Sequence, residues 1–223
     1  INSFERPPHY LIGIAFRPNS ESILVSTYPL AWILDAKSGT LVQSFILGPR
    51  CCGRVEFSPD GQTIAFSNQL WDVNNRKLIR ELDTNLTSLS FNPDGTKIVS
   101  VHSNQSLRQP SEVKVWDFKS GQLLNKTQGG VPNKIQDLAF NANNKNILIA
   151  EGDNGIIRDS RTGLILQTLN RKVTTVAFSP DARTLVTGNQ DGTMQTWDAI
   201  TYSPQNTLSG HTGSIRRITF SRD

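Results

Sequence analysis

The 223-residue chain is 36% hydrophobic and 19% charged, with a net charge of +4. Its apolar content is that of a folded chain, no run approaches the roughly 18 apolar residues of a membrane-spanning helix, and the opening INSFERPPHY lacks a signal-peptide core. The small positive excess is dispersed along the chain, which argues against a nucleic-acid or acidic-membrane partner.

In chain order, six short alternating segments each end on a phenylalanine: LIGIAF at Phe16, RVEF at Phe57, LTSLSF at Phe91, IQDLAF at Phe140, VTTVAF at Phe178 and IRRITF at Phe220. Period-2 alternation is the mark of a strand. A turn follows the first five, as RPNSES, SPDGQT, NPDGTK, NANNKN and SPDART, in which Pro presets φ and Asp, Asn or Gly accepts the tight backbone. A second apolar run, a hairpin and a third strand then lead to Asp35, Asp72, Asp117, Asp159 and Asp198, spaced about 41 residues apart. Another turn and a fourth strand complete each unit.

The units are unequal. The first has Leu34 at the position before its Asp, with Trp32 two residues earlier; the fourth has Arg158 there. In the second, IAFSNQLWD leaves only a turn near Asn68 and Gln69. The third carries an expected surface insertion over 102–112, containing His102 and Pro110 and no strand pattern. The fifth, Ala177 to Asp198, is the most regular.

The SPDG turns, the Gly-Thr hairpin, the Trp-Asp pairs and the single SGHTGSI resemble the WD-repeat family over essentially residues 10 to 223. The resemblance implies an all-β fold, a β-propeller of four-stranded antiparallel blades, with blades at 10–47, 52–83, 86–127, 134–169 and 173–209 and the start of another at 211–223. Beginning with Ile and ending inside a repeat, the chain reads as an excerpt of an incomplete seven-bladed ring; a closed five-bladed ring is the structural alternative.

In that family a His, a Ser or Thr, an Asp and the Trp of a repeat form a buried hydrogen-bond network. The resemblance assigns Thr187, Asp191 and Trp197 to it in the fifth unit, which lacks the His, so Asp191 is expected to need water or another partner. Ser67 with Trp71 and Ser100 with Trp116 are partial sets. His211 is expected to serve the next unit, and His9 is a poorer match.

Little chemistry is left for catalysis. Most carboxylates fall on turns, Asp137 and Glu56 are isolated on innermost strands where a solvated channel would take them, and no nucleophile elbow, phosphate loop or metal pattern is present. Adjacent Cys51 and Cys52 would make a strained disulfide and an incomplete zinc site, so they read as reduced thiols of a cytoplasmic compartment. The expectation is a non-enzymatic docking or sensing scaffold without cofactor, part of a larger regulatory or signalling protein. Its candidate partner surface is a rim carrying Arg50, Arg54, Arg108, Lys134, Arg171 and Lys172, suited to an acidic or phosphorylated peptide. An accessory propeller of a multidomain enzyme and a nucleic-acid-binding propeller are the alternatives.

Overall fold

The computed structural model describes residues 11–18, 21–27, 30–46, 55–83, 86–102, 110–132, 135–170 and 172–220. Among them, twenty strands form five four-stranded antiparallel sheets. The first is β1 (Leu11–Phe16), β2 (Ser22–Thr27), β3 (Leu30–Asp35) and β4 (Leu41–Ile46). The second is β5 (Val55–Phe57), β6 (Thr63–Phe66), β7 (Gln69–Asp72) and β8 (Lys77–Glu81). The third is β9 (Leu86–Phe91), β10 (Lys97–His102), β11 (Pro110–Asp117) and β12 (Leu123–Pro132). The fourth is β13 (Ile135–Phe140), β14 (Asn146–Glu151), β15 (Asn154–Asp159) and β16 (Ile165–Asn170). The fifth is β17 (Val173–Phe178), β18 (Thr184–Asn189), β19 (Met194–Asp198) and β20 (Pro204–Leu208). Strands pair in sequence order within every sheet, the meander of a β-propeller blade.

The chain forms two compact units, Ile1–Phe91 and Asn92–Asp223. In the first, Leu24, Ala31, Ile33 and Phe45 of one blade pack against Val55, Phe57, Ile64 and Phe66 of the next. In the second, Val99, Val101, Val113 and Val115 meet Leu138, Phe140, Ile147 and Ile149, while Leu148, Ala150, Ile157 and Leu169 meet Val176, Leu185 and Trp197. Strand β14 is therefore covered on both faces, with Ile147, Leu148, Ile149 and Ala150 each at most 2% exposed. This is why ILIA, residues 147–150, reads as an unbroken apolar run.

The turns repeat one device. Asp35 accepts from the Ser38 hydroxyl and the Lys37 and Ser38 backbone N–H groups, Asp117 from the Ser120 N–H and hydroxyl, and Asp159 from Thr162 in the same way. Asp72 accepts from Asn75, and Asp198 from Ile200 and Thr201. In every case the residue four positions after the Asp has positive φ: Gly39, Arg76, Gly121, Gly163 and Tyr202. On the same end of the blades, in the first-to-second-strand turns, Ser58 and Ser179 bond to Asp60 and Asp181 and close their turns onto Thr63 and Thr184.

Three expectations are corrected here. Of the strandless insertion expected over 102–112, both flanks are strand: β10 runs to His102 and β11 starts at Pro110, because Glu112 continues the ladder opposite His102, while 103–109 lie outside the described residues. Pro110 is tolerated as the first residue of its strand. The hairpin of the second unit turns at Ser67 and Asn68, with Ser67 at φ 51°, so Gln69 already belongs to β7. The third blade reaches Pro132, beyond the expected limit at 127, since β12 follows the lengthened β11. Residues 209–220 contain no strand.

The Asp caps have a pH consequence. Hydrogen bonds hold four carboxylates below their ordinary value of 3.8: from the Ser38 hydroxyl for Asp35, and chiefly from the backbone N–H of Asn75, Thr162 and Thr201 for Asp72, Asp159 and Asp198. A depressed folded-state pKa contributes stability above the unfolded value that is lost as pH falls through the folded one. Thermal unfolding is therefore expected to vary little with these groups from pH 7 to 5 and to drop below about pH 4. Asp159→Asn should lower the neutral-pH midpoint and flatten that acid limb.

Candidate functional site

Antiparallel register places Leu34, Trp71, Trp116, Arg158 and Trp197 of the third strands opposite Ile23, Ile64, Ile98, Ile147 and Leu185 of the second. Two residues further along the second strand, on the same face, stand Val25, Phe66, Ser100, Ile149 and Thr187. Two more on come Thr27, Asn68, His102, Glu151 and Asn189. These columns decide which polar groups each blade can satisfy.

In the fifth blade Trp197 Nε1 donates to Thr187 Oγ1 at 3.1 Å, and both residues are buried. Asp191 does not join them. It is exposed, and its carboxylate accepts from the Thr193 N–H at 2.9 Å and hydroxyl at 2.6 Å, closing its own hairpin. The buried acceptor expected to need a water is therefore a turn cap.

In the third blade Trp116 Nε1 donates to Ser100 Oγ at 2.7 Å, and Ser100 Oγ is 2.7 Å from His102 Nε2. Whether the Ser100 hydroxyl or the imidazole donates in this second bond is set by the His102 tautomer. His102, expected in a surface loop, is only 6% exposed. Its period-2 spacing from Ser100 was the signal that could have placed it on the same face.

The second blade differs again. Phe66 occupies the hydroxyl position, so Trp71 Nε1 turns to Gln69 Oε1 at 3.1 Å rather than to Ser67, and its ring meets Phe45 edge-on at 6.2 Å. In the fourth blade Ile149 occupies that position and Arg158 replaces the indole. The first blade is apolar at Leu34 and Val25.

Asp137 is not solvated: it is 4% exposed, and Oδ2 accepts from Thr175 Oγ1 at 2.7 Å and the Val176 N–H at 3.2 Å, tying β13 to β17. Glu56 is partly buried and accepts from Ser90 Oγ at 3.3 Å. Both carboxylates join neighbouring innermost strands.

At one end of the fifth blade the Gln190 N–H donates to the Lys172 carbonyl at 2.8 Å, so the approach to β17 and the β18–β19 hairpin emerge side by side. The second blade repeats this with Leu82 and Asn68. Exposed Lys172 stands on this end; Arg50, Arg54, Arg108, Lys134 and Arg171, like Cys51, Cys52 and His9, lie outside the described residues. The segment containing His211 lies along it too. His211 is exposed, Ile215 is buried, the Ile215 N–H donates to the Asn189 carbonyl at 3.1 Å, and a Cβ added at Gly188 would stand 2.6 Å from Ile215 Cγ2. Gly188 is thus an opening for a neighbouring side chain.

The family model for the WD domain, G-beta repeat, matches residues 163–198, from the last turn of the fourth blade to the Trp-Asp of the fifth. The chain belongs to the WD-repeat family. It is 29% identical over 143 residues to an uncharacterized WD repeat-containing protein of Synechocystis sp., covering 62% of this chain and 39% of that protein. It is 27% identical over 189 residues to COMPASS component SWD3 of Saccharomyces cerevisiae, covering 75% of this chain and 58% of that protein. A third relative is small ribosomal subunit protein RACK1y of Oryza sativa subsp. japonica, 26% identical over 164 residues, with 66% of this chain and 46% of that protein covered. The chain spans 39% to 58% of the length of these WD-repeat relatives.

Trp197 is the indole with a buried hydroxyl partner in the matched repeat. Trp197→Ala is expected to lower unfolding stability by roughly 3–5 kcal/mol in urea titration. Thr187→Val, which keeps the volume and removes the acceptor, should cost about 1–3 kcal/mol.

Proposed function

We propose that the chain is a non-catalytic docking module of a larger regulatory or signalling protein, and that its partner surface is the end of the blades bearing the fourth-to-first-strand connections and second-to-third-strand hairpins. The observation that carries this reading is the fate of the polar groups. The strand-ending aspartates cap turns, Asp137 and Glu56 bond adjacent strands, and the Trp, Ser and Thr side chains bond one another. Side chains spent on architecture are poor candidates for chemistry. Two relatives carry names of assembly members, a COMPASS component and a small ribosomal subunit protein, which supports a docking role.

The partner class in this reading is an acidic or phosphorylated peptide, drawn by Arg50, Arg54, Arg108, Lys134, Arg171 and Lys172, and the compartment is cytoplasmic. Guanidinium groups favour such ligands because their forked donors match carboxylate and phosphate oxygens. Reversing Arg50, Arg54, Arg171 and Lys172 to Glu in the full-length parent should weaken binding of a phosphorylated acidic peptide at least about tenfold, measured by calorimetry. Unchanged affinity would remove the basic rim from the proposal.

A further inference from the structure

The fourth blade solves the column problem with charge. Arg158 stands where the fifth blade has Trp197, yet it is 6% exposed. An indole at 158 would face Ile149, which offers no acceptor. The longer guanidinium instead brings Nη2 to 3.9 Å from Glu151 Oε2, with Glu151 1% exposed. Its Nη1 donates to the Gly163 carbonyl at 3.0 Å and its Nη2 to the Gln128 carbonyl of β12 at 3.3 Å.

We infer that Arg158 and Glu151 form an ionic latch that holds the seam between β12 and the β15–β16 turn in a single arrangement. Independent geometry marks this seam as close-fitting. Gly163, at φ +72°, lies so near β12 that an added Cβ would overlap Thr127 Cγ2, and Asn125 Nδ2 donates to the Arg161 carbonyl at 2.8 Å. Arg158 thus pins from inside the blade a turn that Asn125 holds from outside. Burial lowers the guanidinium pKa and the Glu151 charge opposes that shift. A buried ion pair adds little net stability over a well-packed apolar pair, but removing one partner strands the other charge. The latch therefore selects one seating of the turn and penalises the others.

The test is a double-mutant cycle with Arg158→Met and Glu151→Gln in the full chain, read by urea unfolding and by amide hydrogen exchange at 125–128 and 161–165. Each single substitution is expected to lower the unfolding midpoint and to speed exchange in both segments at least about tenfold. The double variant should lose less than the sum of the singles. Arg158→Lys keeps the charge and loses the planar fork, so its exchange should be as fast as that of Arg158→Met. Additive losses with unchanged exchange, or an Arg158→Lys protein that exchanges like the wild type, would overturn the latch. Should Arg158→Met fail to fold, the Lys and Gln variants carry the same comparison.

Discussion

A four-stranded blade with apolar residues on both faces cannot cover itself, and the rest of this structure follows from that. Strand β14 shows the constraint most plainly, because its four central residues are buried alternately toward the third and the fifth blades. Burial of such side chains contributes the bulk of folding free energy, at about 25 cal/mol per Å² of apolar surface removed from water. It is non-directional, however, and two flat faces could slide past one another. Polar contacts across the seams supply direction. Gln43 Nε2 reaches the Val73 carbonyl at 2.6 Å and Asn125 reaches that of Arg161 at 2.8 Å, from the same position of the fourth strand in two blades. Asp137 does the same for the innermost strands at β13 and β17.

The equivalent column through each blade has been filled in five ways. An indole and a hydroxyl form a neutral pair in the fifth blade, and a buried imidazole extends that pair in the third. The second has lost the hydroxyl to Phe66 and rescues its indole with Gln69, the fourth carries an ion pair, and the first is apolar at Leu34 and Val25. The indole N–H finds an acceptor in the second, third and fifth blades, since a buried N–H without one would cost more than the bond itself contributes. Repeats in one chain can therefore diverge in chemistry while the backbone keeps its register. The same economy underlies the proposed function: with these polar side chains committed to seams and turns, the proposal places recognition at the connections of the blade ends.

The sequence by itself determined the strand order, the period of about 41 residues and the turn chemistry, because these depend on local rules: alternation, a Pro or Gly at fixed φ, and an Asp placed to accept the N–H groups that follow it. It also marked Thr187 with Trp197 and Ser100 with Trp116. What only the tertiary structure decided were contacts whose partners lie far apart in the chain or depend on a register that composition does not reveal. His102 and Pro110 looked like loop residues, but His102 pairs with Glu112 of β11 and Pro110 with Pro132 of β12. Asp191 looked like a network member, although its nearest donors belong to its own hairpin. Asp137 needed Thr175, 38 residues away, to become a buried staple, and Arg158 needed Gln128 and Glu151. A hydrogen bond within a turn is encoded by spacing; one across a seam exists only after two blades have packed and excluded water from the groups they bring together.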